Sequence, residues 1–302
     1  MTFWQLTVPT SPETSDGLTN FLWEHGALGV VEEESPRDPP RLRAFFPHTA
    51  SSTGLIGAVR VYRASLRSLG FPVSATEPEI TPLLDGDWAR AWQQSFPPIE
   101  VGERLLIAPP WEARPESAAG GRVQVIIEPG RAFGTGHHAS TEGCLALLEE
   151  ALSSRGARSL PMLDIGTGTG ILAIAAVKLG APAALAIDVD PDAIAAAGLN
   201  AEKNGCADRV TLALQGPETV PAREPFPLVA ANLLSHTHLG LAAEYERLVA
   251  PGGVVIAMRT PRALAPATVR AGEHVGLRPK GAWDYHLPGG ERRRLLFFVA
   301  MC

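Results

Sequence analysis

The sequence predicts an α/β protein: a Rossmann-like, mostly parallel sheet covered by helices, preceded by a small ferredoxin-like α+β domain. Three observations lead there. From residue 98 onward, short apolar runs alternate with helical stretches, the pattern of a parallel sheet covered on both faces. Before residue 80 the order reads strand, helix, strand, strand, helix, strand, that of a split βαβ sandwich. At 302 residues the chain also exceeds what one hydrophobic core usually serves. The expected division is a small domain at 1–84, a linker helix and hinge at 85–97, and a large domain at 98–302.

In the small domain the extended runs are FWQLTV, LGVVEEE, RLRAFFP and FPVSATE, with helices predicted from Ser11 to His25 and from Ser52 to Leu69. Asp87 to Phe96 places Trp88, Ala91 and Trp92 at helical spacing, and Pro97 and Pro98 stop that helix. In the large domain strands are predicted at Leu160–Ile165, Ala183–Asp188, Val210–Leu214, Leu228–Asn232, Val254–Met258 and Leu295–Ala300. Helices are predicted at 170–180, 191–204, 235–250 and 261–276, with proline-rich loops near 36–40, 109–115 and 217–227.

With 45% apolar and 19% charged residues, the composition excludes a disordered chain. A net charge of −6 argues against sequence-independent attraction to phosphate backbones, so no direct nucleic-acid binding is expected. Cys144, Cys206 and Cys302 are scattered and odd in number, which fits a reducing cytoplasm better than a disulfide framework. The opening MTFWQLTVPT has no basic segment followed by an apolar one, and no run approaches the roughly eighteen apolar residues of a membrane helix. A soluble, cytoplasmic monomer without a membrane partner is the expectation. Residues 1–95 hold eleven Asp or Glu against seven Lys or Arg, including Glu32, Glu33 and Glu34. That run reads either as a solvated face or as a surface for a basic partner.

In LPMLDIGTGTGILAIAAVKLG an apolar strand runs into Gly166, Gly168 and Gly170, and a helix begins at once. Glycine permits tight turns and close approach of a ligand, and the new helix offers free amides. Asp164, just before the first glycine, favours a ligand that carries an ammonium group. GTGILA also satisfies the dinucleotide fingerprint G-x-G-x-x-A, so NAD is a competing ligand. Asp188, 22 residues after Gly166, can accept both hydroxyls of a ribose and suits either cofactor. Asp190 reads as a helix cap, with Pro191 at the first helical position.

Two further features lie outside that loop. EPGRAFGTGHHAST, 128–141, carries a second glycine turn with Phe133, Gly134, Thr135 and Gly136, followed by Thr141 in the next helix. It can close over a cofactor, with Thr141 giving a hydroxyl to the ligand; the alternative is a helix entry capped by Ser140 or Thr141. VAANLLS places Asn232 at the carboxyl edge of the sheet, where open α/β folds bind ligands. Its amide can accept a hydrogen bond from an incoming amine, or simply end the strand. The pairs His137–His138 and His236–His238 lack a third ligand at a telling spacing, so no metal is expected.

Taken together, EPGRAFGTGHHAST, LDIGTGTGILAIAAVKLGA, AIDVDPDAI, NAEKNG and VAANLL resemble the bacterial methyltransferase family that modifies the eleventh protein of the large ribosomal subunit, the PrmA family. DWARAWQQSFPPIEVGERLLIAPPW resembles the same family's linker and domain entry, so the likeness covers roughly residues 85–260. The resemblance implies a seven-stranded class I methyltransferase domain, S-adenosylmethionine as cofactor, and lysine side chains or an N-terminal amine of that ribosomal protein as acceptors. It implies cofactor positions at Thr141, Gly166, Asp188 and Asn232; the catalytic role expected of Asn232 rests on its place at the strand end. Where the family often reads Ser-Gly-Ile-Leu after the fifth strand, this chain reads AMRTP at 257–261.

Rival readings are set apart by particular residues. Methyltransferases of protein amides and nucleic-acid bases resemble one another in an Asn-Pro-Pro-aromatic tetrad, whereas this chain has Asn232, Leu233, Leu234 and Ser235. A non-catalytic RNA-binding protein would use stacking aromatics such as Phe45 and Phe46, but the basic-glycine-aromatic pattern of RNA-recognition motifs is missing.

Overall fold

The computed structural model describes residues 2–11, 13–33, 40–84, 93–94, 96–115, 119–130, 134, 136, 139–154, 161–221, 225–233, 235–261, 277–286 and 292–300. Two compact units result, Met1–Phe96 with His286–Glu291, and Pro97–Tyr285 with Arg292–Cys302.

The first unit contains β1 (Thr2–Pro9), α1 (Ser15–Glu24), β2 (Gly29–Glu33), β3 (Arg41–Phe46), α2 (Ser52–Ser68) and β4 (Glu79–Leu84). Its sheet order is β2-β3-β1-β4, and each pairing is antiparallel. Alternation along the strands turns Leu6, Val8, Leu42, Ala44 and Phe46 into one core with Leu18, Leu22, Leu55 and Val59 of the helices. This is the ferredoxin-like arrangement. One expectation fails: the last strand is Glu79–Leu84, not FPVSATE. The carbonyls of Ser74 and Thr76 are taken instead by the buried Arg63 guanidinium, at 2.7 and 2.8 Å, and the chain becomes free to pair with β1 only beyond Pro78.

The second unit opens with a three-stranded sheet that the sequence reading did not foresee, because its runs are too short to show a period: β5 (Ile99–Val101), β6 (Leu105–Ala108) and β7 (Val123–Ile126). Then come α3 (Ala139–Ser154), β8 (Met162–Ile165), α4 (Ile171–Leu179), β9 (Ala184–Asp188), α5 (Pro191–Lys203), β10 (Val210–Leu214), β11 (Phe226–Ala231), α6 (Ser235–Leu248), β12 (Val249–Pro261), β13 (Leu277–His286) and β14 (Arg292–Ala300). The main sheet has seven strands in the order β10-β9-β8-β11-β12-β14-β13. Its first five run parallel, and β14 is antiparallel to β12.

Helix α4 is buried along its length, from Ile171 to Val177 and at Leu179, which explains why its sequence is apolar all round. It is bounded by Gly170 and Gly180, both in the left-handed region at φ 81° and 116°. Helix α5 starts as read, with the Asp190 carboxylate accepting from the Asp192 amide at 2.9 Å and Pro191 following the cap. Strand β13 was not anticipated. The expected helices at 87–96 and 261–276 fall largely outside the described residues, although Pro261 itself belongs to β12. Among the described residues no helix is long and apolar enough to cross a membrane.

Candidate active site

The chain runs from β8 to β9 and β10 on one side and returns through β11 and β12 on the other. The carboxyl ends of β8, β9 and β11 therefore lie side by side at the point where strand order reverses, the usual ligand crevice of open α/β sheets. Asp164, Asp188 and Asn232 sit at these ends. The loop after β8 turns through Gly166, Gly168 and Gly170 at φ 72°, 54° and 81°. Its start is held by the Gly166 and Thr167 amides, which donate to the Ile187 carbonyl at 2.9 and 3.0 Å. A Cβ at Gly166 would meet the end of the Leu233 side chain, which would have to shift, so the left-handed backbone is the stronger reason for glycine here.

Asp164 is fully buried. Its Oδ2 accepts from the Thr167 hydroxyl at 2.7 Å, while its Oδ1 has no partner. Burial pushes its pKa up to about 7, against smaller lowering effects of the Thr167 hydroxyl and the Ala173 amide; the charge of Asp188 raises it further. Asp188 braces the loop directly. Its Oδ2 accepts from the Gly168 amide at 3.0 Å and its Oδ1 from the Asp190 amide at 3.1 Å. Both oxygens keep further acceptor capacity.

Asn232 donates through Nδ2 to the buried Thr141 hydroxyl at 3.2 Å, and its own Oδ1 is buried without a donor. The residue after it, Leu233, presses on Gly166. Gly134 and Gly136 come close to this region at φ 107° and 96°. A Cβ on Gly134 would lie 2.9 Å from Thr169 Oγ1, and one on Gly136 2.9 Å from Ile107. Phe133, Thr135, His137 and His138 lie outside the described residues.

Several residues of this region were not singled out from sequence. Thr167 and Thr169 were not named by the sequence reading, yet Thr169 Oγ1 donates to the Gly134 carbonyl at 2.5 Å. Asn200 is buried in α5, and a polar amide one turn after Ala195, Ala196 and Ala197 was the available signal. His238, considered with His236 as a metal pair, is buried in α6 with Nδ1 2.7 Å from the Tyr245 hydroxyl; the His236 side chain is not described. Burial pushes the Tyr245 hydroxyl pKa up, keeping it protonated. Among the described residues no group of three or more His, Cys, Asp or Glu could hold a metal ion.

A cofactor can be tested against this site on its own atoms. Two buried acceptors without protein donors, Asp164 Oδ1 and Asn232 Oδ1, stand at the ends of adjacent strands beside the glycine loop. They fit a ligand that brings N–H donors and positive charge, as S-adenosylmethionine does. Fold and site together define a class I methyltransferase, a class that uses S-adenosylmethionine.

Residues 2–258 match the family profile described as "Ribosomal protein L11 methyltransferase (PrmA)". The ribosomal protein L11 methyltransferase of Shewanella amazonensis is 36% identical over 258 residues, 82% of this chain and 84% of that protein. The one from Shewanella woodyi is 37% identical over 257 residues, with the same coverage. The crystal structure of a ribosomal protein L11 methylase from Lactobacillus delbrueckii subsp. bulgaricus superimposes with a TM-score of 0.57 at 27% identity, covering 67% of this chain and 98% of that one. The chain belongs to the ribosomal protein L11 methyltransferase family.

Proposed function

We propose that this protein transfers methyl groups from S-adenosylmethionine to lysine side chains or the N-terminal amine of ribosomal protein L11, acting as a cytoplasmic monomer. The observation that carries the chemistry is Asn232: its amide is committed to Thr141, and its carbonyl oxygen is left free to accept a hydrogen bond. The substrate follows from the family, whose members carry L11 in their names.

Bound S-adenosylmethionine would supply an electrophilic methyl group on sulfonium sulfur, with the neutral sulfide as its leaving group. Asp164, Gly166, Gly168, Gly170 and Asp188 would hold the donor, with Thr141 and the segment bearing Phe133, Gly134 and Thr135 on its other side. Asn232 would accept a hydrogen bond from the incoming amine and aim its lone pair. A lysine amine costs about 5 kcal/mol to present neutral at pH 7, and a dry site beside a positive donor lowers that cost. No strong base is needed; alignment supplies much of the rate.

Other readings have less support. Asn232 lacks the prolines and aromatic ring of the amide and base methyltransferases. Phe45 and Phe46 are fully buried, so neither offers a free face on which RNA bases could stack. The acidic run is largely occupied within the chain: Glu33 pairs with Arg41 and Arg43, and Glu32 accepts from Ser15. It adds little to the case for a basic partner.

The test is incubation with labelled S-adenosylmethionine and isolated ribosomal proteins, followed by mapping of the label. Label on lysines or the N-terminus of L11 is expected. Label confined to other proteins would overturn the substrate, and tight RNA binding without methyl transfer would overturn the activity.

A further inference from the structure

The segment entering the second glycine turn and the main glycine loop come from distant parts of the chain, and α5 binds both. Asn200, buried on that helix, accepts through Oδ1 from the Glu128 amide at 3.0 Å and donates through Nδ2 to the Thr169 carbonyl at 2.9 Å. Thr169 in turn donates its hydroxyl to the Gly134 carbonyl. One helical turn away, Asn204 makes the same paired contact with the backbone of Ile126, accepting at 2.9 Å and donating at 2.6 Å. Glu128 is thus pinned to α5 and Gly134 to the glycine loop.

Ordinary packing does not require this arrangement. An asparagine costs helix stability relative to alanine, and burying its amide is tolerated only when both ends are bonded. Here each end bonds a backbone group of a different loop. The helix comes close enough for this because Gly170 has no side chain; a Cβ there would lie 3.1 Å from that of Ala197.

We propose that Asn200 is a positioning residue that couples the glycine loop to Glu128 and Gly134, so that donor binding at the loop restrains them further. This rests on the reading of the 164–170 loop as the donor site. Neither Asn200 nor Thr169 needs to touch the donor. Their contribution is that the two loops do not move independently, so a ligand contacting both finds them already aligned.

The experiment measures S-adenosylmethionine affinity by calorimetry, and hydrogen exchange at the Glu128 amide with and without S-adenosylmethionine, in the full chain. The variants are Asn200→Ala, Thr169→Val, the double variant and the conservative Thr169→Ser. Native protein should bind, and binding should slow exchange at Glu128. In Asn200→Ala, affinity should fall by about fivefold or more, the lower end of ordinary coupling between sites, and the Glu128 response should disappear. Thr169→Val should weaken binding, Thr169→Ser should restore it, and the double variant should lose less than the product of the single losses. Should Asn200→Ala fail to fold, the Thr169 pair decides the question alone. If the variants bind as tightly as native protein, or their losses multiply, the coupling is wrong while the donor site stands. If native protein does not bind S-adenosylmethionine, the donor-site reading falls and the coupling with it.

Discussion

Asn232 donates its side-chain amide to the Thr141 hydroxyl at 3.2 Å, joining the end of β11 to the first turn of α3 across 91 residues. The bond orients the amide and leaves Oδ1 as the free acceptor. Asn232→Ala should lower kcat by on the order of a hundredfold, the usual loss when a placed hydrogen bond at the reacting group is removed. Thr141→Val, which leaves the amide free to turn, should cost about tenfold with little change in fold. Steady-state methyl transfer at saturating donor checks both; values within twofold of native would remove Asn232 from the chemistry.

Asp164 should make stability and donor affinity respond to pH in opposite directions. Burial raises its pKa to about 7 in the folded chain. The penalty for charging it is absent below about pH 4, grows as the unfolded carboxylate ionises, and is complete above about pH 7, where it reaches about 4 kcal/mol. Asp164→Asn should therefore be more stable than native protein at pH 8 and equal to it near pH 4. S-adenosylmethionine, with its positive charges, should bind native protein more tightly as pH rises through 7, and the variant should show a flat profile. Urea unfolding at two pH values together with calorimetry is the test, and parallel pH curves for the two proteins would contradict it.

Asp188 serves the Gly168 and Asp190 amides at once. Asp188→Ala removes two charge-assisted hydrogen bonds from the loop as well as the proposed ribose acceptor. Donor affinity should fall by roughly tenfold to a hundredfold. Asp188→Asn keeps an acceptor and should lose less. Calorimetric titration distinguishes the outcomes, and equal losses in both variants would point to charge alone.

Gly166→Ala combines a left-handed backbone at φ 72° with a collision against Leu233, the neighbour of Asn232. The conformation alone costs about 1–2 kcal/mol. Adding Leu233→Ala should relieve the collision and recover part of the lost donor affinity without recovering the strain. Thermal unfolding and donor binding on the single and double variants measure the two contributions. A double variant no better than the single would show that Leu233 yields freely.

Much of the fold was legible because its signals are local. Strands β8, β9 and β10 stand within two residues of their expected limits, since short, mostly apolar runs bounded by polar or glycine residues leave little choice. The caps of α4 and α5 were likewise written in Gly170, Asp190 and Pro191. Less was legible where elements are short or paired at a distance. The three-stranded sheet β5-β6-β7 has no run longer than four residues, and β4 was displaced because Arg63, eleven residues before Ser74, takes the carbonyls of the expected strand.

By itself the sequence determined the order of the elements from β8 to β12, the glycine loop, its carboxylates and the asparagine at the strand end, because each follows from residue type and spacing along the chain. Only the tertiary structure decided which of these atoms are already occupied. It showed that Asp188 supports Gly168, that Thr169 reaches Gly134 through its hydroxyl, and that Asn200 joins two loops. It also showed that the free oxygens of Asp164 and Asn232 stand at the ends of adjacent strands. Hydrogen bonds between residues dozens of positions apart leave no periodic mark in a sequence, since they exist only once strand order has brought their partners together.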